Sequence, residues 1–167
     1  AGVDERREFA YDAAVGASSV HYWGTVKEKG ETYKVNFIVA DGDGFGTAVT
    51  KVCGTEVGRT GLSTAEAERA GFAVTSAVID STTTAGYLPS AEPITVKAIA
   101  ERGTGRLLGV QIVGGAGSAK RIDAAATAIT AEMSVMDVVE LDLAYAPPFS
   151  PLWDPVQTAA RAACRDV

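Results

Sequence analysis

Alternating apolar and polar positions, broken by glycine turns, mark the first third of the chain. Strand-like runs occupy residues 20–26, 32–40 and 45–52, separated by the turn sequences EKGE and DGDG. Side chains alternate between the two faces of a strand, and glycine adopts the turn conformations that other residues avoid. The pattern predicts a three-strand antiparallel meander. Before it, residues 4–15 have apolar positions at roughly helical spacing behind an acidic first turn, and they predict a short helix.

A capping box follows the meander. In the sequence STAE at 63–66, the serine hydroxyl and the glutamate carboxylate can each accept a hydrogen bond from a free backbone N–H group. The motif predicts a helix over 64–70. Gly71 is suited to the left-handed conformation in which many helices end.

The next segment predicts an antiparallel sheet. Strand-like runs lie at 73–80, 94–102 and 106–114, with a long loop after the first run. The sequence GTG separates the other two runs, so they predict a hairpin around a glycine turn.

Helices are predicted for the last third of the chain. Residues 118–131 carry a narrow apolar stripe at helical spacing, formed by Ile122, Ala125, Ala126 and Ile129. Ser134 begins a short helix, and Asp154-Pro155 predicts another one to about 163, because aspartate caps a first turn in which proline loses no hydrogen bond. The order of helix, sheet and helices predicts an α+β fold.

Length and charge limit the classes of function. The 167 residues suffice for one ordinary domain, or for a domain of about 120 residues with an appended segment. The net charge is −6 and no block of Lys or Arg occurs, so we expect no nucleic-acid partner. We also expect no membrane association, because no apolar run reaches about 20 residues and the charged N-terminus is unlike a signal peptide.

The two cysteines indicate reduced thiols. Cys53 and Cys164 are distant in sequence and form no CxxC or metal-ligand spacing. We therefore expect a cytoplasmic location, since disulfides are characteristic of oxidising compartments. Cys53 lies in a strand-like run and Cys164 near the chain end, so neither has the helix N-terminal setting that activates a redox cysteine.

Three other motifs fall short of the chemistry that they resemble. The loop from Gly115 to Lys120 follows a strand and precedes a helix, but a lysine stands at the third glycine of a dinucleotide fingerprint, which favours a simple glycine turn. A calcium loop beginning at Asp41 would have Val52 where a bidentate glutamate is required. His21 has no acidic residue near it in sequence. We expect no metal site and no cofactor site in this chain.

Several longer segments occur together in a fixed order. They are GTAVTKV, GRTGLSTAEAERAGF, TAGYLPSAEPITVKAIAERGTGRLLGVQIVGG and KRIDAAATAITAEMSVMDVVELDLAYAPPFSPLWDPV. These segments, over about residues 46–163, resemble the C-terminal dimerisation domain of flavin-dependent pyridine nucleotide-disulfide oxidoreductases, in particular coenzyme A disulfide reductases and NADH oxidases. The resemblance implies an antiparallel sheet with helices packed on one side.

The resemblance also implies a function for two tyrosines. In that family the flavin of one subunit is covered by the interface domain of the other, which completes the substrate site. Glutathione and lipoamide reductases have a histidine and a glutamate in this region, whereas this chain has Tyr145-Ala-Pro-Pro. The matching positions imply that Tyr145 and Tyr87 are catalytic residues contributed to the partner subunit's site. The implied parent enzyme is a homodimer that uses FAD and NAD(P)H with a small thiol or disulfide substrate.

The resemblance divides the chain at about residue 45. Residues 45–167 form the interface domain, and 1–44, which the resemblance does not cover, form a β-meander segment of uncertain origin. Two other functions are open: a non-catalytic protein-interaction module, and a ligand-binding domain like those of lipoproteins, based on residues 18–50 alone. The electron acceptor is also open, among coenzyme A disulfide, dioxygen and polysulfide.

We predict that the isolated chain does not bind FAD, because it lacks both the glycine fingerprint and the acidic residue about 20 positions later that binds a ribose. Purification with excess FAD, followed by absorption spectroscopy, measures the bound flavin. One equivalent of yellow chromophore per chain would contradict the prediction and identify the 115–120 loop as a cofactor site.

Overall fold

A three-stranded antiparallel sheet begins the fold. The structure, a computed structural model, describes residues 46–167 fully and, before them, only the strands β1 (Tyr11–Gly16), β2 (Ser19–Glu28) and β3 (Glu31–Ala40). β2 lies between β1 and β3. The helix predicted over 4–15 is wrong for 11–15, because β1 pairs along its whole length with β2 and interstrand bonds outweigh a weak helical pattern. Its other residues lie outside the described part.

The third strand of the predicted meander belongs to a second sheet. β4 (Ala48–Val52) pairs with β5 (Thr55–Gly61), whereas β1 completes the first sheet beside β2. The prediction therefore identified β2 and β3 but chose the wrong third partner. The DGDG turn lies outside the described residues.

The second sheet has five antiparallel strands in the order β4-β5-β8-β7-β6. Its remaining members are β6 (Val74–Thr82), β7 (Pro93–Glu101) and β8 (Leu107–Gly114). β5 was not predicted, since Gly58 and Arg59 interrupt its apolar alternation. Gly58 has a packing reason: a Cβ there would approach the backbone oxygen of Ala119 and the Cβ of Ile122 to 3.3 Å.

Among the described residues four α-helices accompany this sheet, and capping motifs located the starts of three of them. They are α1 (Thr64–Arg69), α2 (Ile122–Thr130), α3 (Val135–Val139) and α4 (Pro155–Ala163). Ser63 and Ser134 each form a capping box, and Asp154 caps α4. Gly71 has a φ of +91°, as its position after α1 predicts. The helix expected over 118–131 begins as a 3-10 turn at Ala119–Arg121 and continues as α2.

The main core lies between the five-stranded sheet and helices α2, α3 and α4. Alternate residues of β7 enter it, together with small or branched residues from the three helices, and all are buried: Ile94, Val96, Ala98, Ala100, Ile122, Ala125, Ala128, Ile129, Val135, Val138, Val156, Ala159, Ala160 and Ala163. The many alanines allow the helix backbones to lie close to the sheet. The predicted α+β fold with an antiparallel sheet is confirmed.

A β-bulge interrupts the alternation of side chains along β8. Ile99 pairs with Gly109 but Ala100 pairs with Leu107, so Leu108 is an extra residue. Leu107 joins the main core, whereas Leu108 packs with Ile99 against Ala67 of α1. The short α1 thus lies on the face opposite to α2–α4.

A partly buried ion pair links β5 to α1. The Arg59 side chain, 4% exposed, donates a hydrogen bond to Glu66 Oε2 at 3.1 Å, and the Ser63 N–H donates to the same oxygen at 2.6 Å. Burial alone would raise the pKa of the Glu66 carboxyl. The hydrogen bonds with Ser63 and the charge of Arg59 outweigh burial and lower this pKa below its ordinary value of 4.5.

We predict that Glu66→Gln lowers the free energy of unfolding by about 1–2 kcal/mol at about pH 7, because glutamine lacks the charge that Arg59 binds. A carboxyl whose pKa is depressed by folding stabilises the protein above the unfolded-state pKa, and this contribution disappears as the pH falls through the folded-state value. The difference between wild type and variant should therefore shrink at about pH 3.

Urea unfolding at the two pH values measures this difference. Glu68→Gln is the matched control, since Glu68 is exposed on the same helix. An equal loss of stability for Glu66→Gln at both pH values would contradict the role assigned to the charge.

Candidate functional site

Two loops that are distant in sequence meet at one end of the molecule. The loop between β6 and β7 carries Tyr87, and the loop between α3 and α4 carries Tyr145. The backbone N–H of Ala85 donates a hydrogen bond to the carbonyl oxygen of Pro147 at 3.0 Å, which joins the loops directly. The side chains of Tyr87 and Tyr145 are 77% and 50% exposed. Both sequence-predicted site residues therefore lie on adjoining loops and face solvent.

The first loop is closed at its base by two hydrogen bonds. The N–H of Thr83 donates to the Glu92 carbonyl at 2.9 Å, and the N–H of Glu92 donates to Thr83 Oγ1 at 3.2 Å. In the second loop, Pro147 and Pro148 restrict the backbone just after Tyr145. Each tyrosine is thus presented by a restrained segment of chain.

The Arg121 guanidinium connects both loops to the helical layer. Its Nη2 donates to the carbonyl oxygens of Thr83 at 2.6 Å and Phe149 at 2.9 Å. Nη1 donates to the Gly117 carbonyl at 2.7 Å, and Nε donates to Asp154 Oδ2 at 3.0 Å. One side chain therefore binds three segments: the loop between β6 and β7, the turn before α2, and the loop between α3 and α4.

Asp154 balances the charge of this guanidinium and fixes the start of α4. Its Oδ2 accepts from Arg121, and its Oδ1 accepts from the Val156 N–H at 2.9 Å. The side chains of Arg121 and Asp154 are only 11% and 14% exposed. At this depth the charge-assisted hydrogen bonds are weakly screened by solvent.

A cleft of about 390 Å³ opens between these segments. Residues from both loops and from the turn before α2 line it: Thr83, Thr84, Ala116, Gly117, Lys120, Arg121, Ala144, Pro148, Phe149, Ser150 and Asp154. Tyr145 follows one lining residue, Ala144, and so lies beside the cleft in sequence. Neither tyrosine lines it.

Exposed apolar side chains are concentrated on the same two loops. Besides the two tyrosines, they are Phe149, Leu152 and Trp153. The Arg161 guanidinium lies 4.2 Å from the centre of the Trp153 ring, in a cation–π contact that orients this ring. Apolar groups exposed together on one surface are typical of contact with another protein surface.

The glycine turn before α2 does not fit a pyrophosphate. A phosphate at such a turn is bound by free backbone N–H groups. Here the Ala116 N–H donates to Glu92 Oε2 at 2.7 Å, and the Ala119 N–H donates to Glu56 Oε2 at 3.1 Å. The chain's own carboxylates therefore take up these groups. The interpretation of this segment as a turn between strand and helix is confirmed.

The hydrogen bond from the Ala119 N–H also affects the pKa of Glu56. Burial by itself would raise the pKa of this carboxyl. The hydrogen bond from the Ala119 N–H, and the hydrogen bond and charge of Lys51, outweigh burial and lower the pKa below its ordinary value of 4.5. The Glu56 side chain is therefore a charged hydrogen-bond acceptor for the first turn of the helical segment.

Neither cysteine has a catalytic setting. Cys53, expected in a strand, lies in the exposed turn between β4 and β5 with a φ of +48°. The strand interpretation was wrong because Gly54, with a φ of +88°, allows the chain to reverse there. Cys164 follows α4, and burial raises the pKa of its thiol.

The part of the chain that the structure describes lacks two further features. It contains no group of three or more His, Cys, Asp or Glu residues placed to hold a metal ion. None of its helices combines the length and the apolar character needed to span a membrane. The side chain of His21 and the loop at 41–44 lie outside the described residues.

The sequence predicts site residues on these two loops but gives no sign of the arginine that is bonded to both of them. Arg121 lies in the segment KRID, and the resemblance implies no function for it. Its partners Thr83, Phe149 and Asp154 are 38, 28 and 33 residues away. No local signal reveals bonds over such separations, two of which are to backbone carbonyls.

Comparison with known proteins identifies the family. Residues 47–155 match the profile of the pyridine nucleotide-disulphide oxidoreductase dimerisation domain. The CoA-dependent NAD(P)H sulfur oxidoreductase of Pyrococcus furiosus is 47% identical over 116 residues, which cover 70% of this chain and 26% of that protein. The NADH oxidase of Methanocaldococcus jannaschii is 34% identical over 119 residues, covering 71% of this chain and 26% of the relative.

The fold agrees with this assignment. The structure of an NAD-dependent persulfide reductase from A. fulgidus superposes with a TM-score of 0.69 and 41% identity, over 71% of this chain and 22% of that one. The present chain therefore spans about a quarter of the length of these relatives. The predicted resemblance to the coenzyme A and NADH oxidase branch is confirmed. The chain belongs to the dimerisation-domain family of the pyridine nucleotide-disulphide oxidoreductases.

Proposed function

We propose that this chain is the dimerisation and substrate-site part of a flavin-dependent NAD(P)H:disulfide oxidoreductase of the coenzyme A disulfide reductase or NADH oxidase type. One observation carries the proposal: Tyr87 and Tyr145 are exposed on two loops that are bonded to each other and to a rigid helical layer. Such a surface can present two phenols to a second subunit. The proposed reaction also needs a flavin and a nicotinamide, which we assign to other domains of the parent enzyme.

The cofactors of the proposed parent enzyme are FAD and NAD(P)H, held by domains other than this one. The names of the Pyrococcus furiosus and Methanocaldococcus jannaschii relatives support the nicotinamide. A bound flavin accepts hydride from the nicotinamide and passes the electron pair on to a disulfide, which is reduced to two thiols. The Ala116 and Ala119 N–H groups are bonded to carboxylates, so the turn before α2 supports a location of both cofactors elsewhere.

The tyrosines act on the substrate through their hydroxyl groups. A phenol O–H on a restrained loop donates a hydrogen bond to a sulfur or thioester oxygen and stabilises the charge of a departing thiolate. Because Pro147 and Pro148 restrict the backbone beside Tyr145, this donor loses little conformational freedom on binding. Tyr87, on the adjoining loop, contributes a second donor to the same site.

The substrate class that we propose is a small thiol or disulfide. The coenzyme A dependence in the name of the Pyrococcus furiosus relative supports a coenzyme A compound, and the NADH oxidase relative supports dioxygen as the alternative acceptor. Both acceptors, and polysulfide, are compatible with the same interface scaffold.

The organisation of the chain forms part of the proposal. A boundary near residue 45, between 1–44 and 45–167, is supported by the pairing of β1–β3 with one another and by a family match that begins at residue 47. A cytoplasmic location is supported by the free thiols of Cys53 and Cys164.

A non-catalytic interaction module is the second candidate. The exposed apolar side chains of Phe149, Leu152 and Trp153 favour it, because they provide contact area without reactive groups. The two candidates differ in one respect: only in the enzyme does the Tyr145 hydroxyl matter more than the Tyr145 ring.

We predict that Tyr145→Phe, in the complete flavoprotein, lowers turnover by about tenfold or more, because one hydrogen bond to the transition state is lost. The ring stays in place, so Tm should change by less than about 2 °C. Steady-state kinetics with coenzyme A disulfide, dioxygen and polysulfide, together with thermal unfolding, measure both effects.

Thr95→Val is the control for this experiment. It removes a hydroxyl that bonds only to Asp80 within the described residues, on a strand away from the tyrosine loops, and it should leave turnover unchanged. Wild-type turnover of Tyr145→Phe with all three acceptors, accompanied by a loss of stability, would favour the interaction module.

We further predict that the isolated chain forms a homodimer, because its exposed apolar loops are of the kind that oligomers bury. Helix α2 and the loop carrying Tyr145 should contribute to the contact. Light scattering at high micromolar concentration measures the mass, and Trp153→Ser should weaken association. Val49→Ser, an exposed apolar position on β4, is the control. A monomer at these concentrations would contradict the prediction.

A further inference from the structure

We infer that Arg121 is the positioning residue of the tyrosine site: its guanidinium holds the loops of Tyr87 and Tyr145 in register with each other. The catalytic consequence of this inference rests on the proposed function, whereas the geometry does not. Arg121 touches neither tyrosine hydroxyl in the structure and acts through backbone carbonyls.

One nitrogen atom joins the two loops. Nη2 lies 2.6 Å from the Thr83 oxygen and 2.9 Å from the Phe149 oxygen, so the distance between these carbonyls is limited by a single donor group. Thr83 precedes Tyr87 by four residues, and Phe149 follows Tyr145 by four. The hydrogen bond from Ala85 to Pro147 lies between these anchors and completes the connection.

The arrangement depends on the shape of arginine. Five N–H donors diverge in one plane, and here Nε, Nη1 and Nη2 reach a carboxylate and three carbonyls in different segments. A lysine has one nitrogen at the end of a flexible stem and cannot contact all of these groups together. Lysine would therefore preserve the charge beside Asp154 but lose the connection between the loops.

Asp154 and Gly117 hold the Arg121 guanidinium itself in place. Nε is held by the carboxylate that caps α4, and Nη1 is held by the Gly117 carbonyl at the turn before α2. Helices α2 and α4, which follow these two anchors, pack on the five-stranded sheet through buried residues such as Ile122 and Val156. The position of the tyrosine loops is thereby set by the rigid core.

Amide hydrogen exchange in the 167-residue chain tests the geometry directly. We expect Arg121→Lys to speed exchange of the Ala85 N–H by about tenfold or more, because opening of the loops becomes easier, while amides of the β7–β8 pair keep wild-type protection. Arg106→Lys is the matched control, since Arg106 also binds a carboxylate, that of Glu132 at 2.9 Å, but at an exposed site. Wild-type protection of Ala85 in Arg121→Lys would overturn the inference.

A second variant distinguishes a local effect on the loops from a general loss of folding. Asp154→Asn keeps an oxygen to cap α4 but removes the charge that holds Arg121, so it should loosen Ala85 in the same way and to a smaller extent. If both variants lose protection throughout β7 and β8, Arg121 supports stability in general and the inference is wrong.

Turnover of the complete flavoprotein separates this inference from the proposed function. We expect Arg121→Lys to lower kcat more than it raises KM, as Tyr145→Phe does, with Arg106→Lys unchanged. A loss of turnover in Tyr145→Phe without one in Arg121→Lys would refute the positioning function. Faster exchange at Ala85 with wild-type turnover in both variants would support the loop connection and refute the proposed catalytic site.

Discussion

The hydrogen bonds of the Arg121 guanidinium determine how this end of the molecule is built. A nearly buried cation is costly unless its charge is balanced and its donors are satisfied. Asp154 balances the charge, and the carbonyls of Thr83, Gly117 and Phe149 satisfy the donors. These groups belong to three segments, namely the loop between β6 and β7, the turn before α2 and the loop between α3 and α4, so one side chain brings three parts of the chain together. Removing one partner of such a pair costs about 3–5 kcal/mol when the charge stays buried.

The five-stranded sheet allows this arrangement because glycine, which has no side chain, stands where other segments approach it closely. Gly58 leaves room for Ile122 and Ala119, which places the start of α2 and therefore Arg121 close to β5. At Gly109 a Cβ would lie 1.9 Å from the Leu62 carbonyl oxygen, so only glycine lets the backbone between β5 and α1 approach β8 there. The bulge beside Gly109 places Leu107 in the same core as Val110, while Leu108 packs in the core on the other face. One sheet thereby supports helices on both faces.

Two kinds of surface coexist around the cleft. Polar groups of the backbone and of Arg121 and Asp154 are bonded internally, whereas the rings of Tyr87, Tyr145 and Phe149 are exposed. Covering such a surface with a second apolar surface lowers the free energy, and no internal hydrogen bond has to break. This is the behaviour required of a dimerisation domain, and it explains why a segment spanning about a quarter of its relatives carries so many exposed aromatic side chains.

Local sequence determined what depends on neighbouring residues: the capping boxes at Ser63 and Ser134 and the Asp154 cap located helix starts, since their partners lie within three residues. Motif order determined the family. Tertiary structure decided the pairing of β1, because its bonds with β2 override a weak helical pattern. It also decided the position of β5, because Gly58 hides the alternation of this strand and its second partner, β8, is distant in sequence. It also decided the function of Arg121, because the carbonyls that an arginine binds exist in every residue and only the fold selects which of them come within reach.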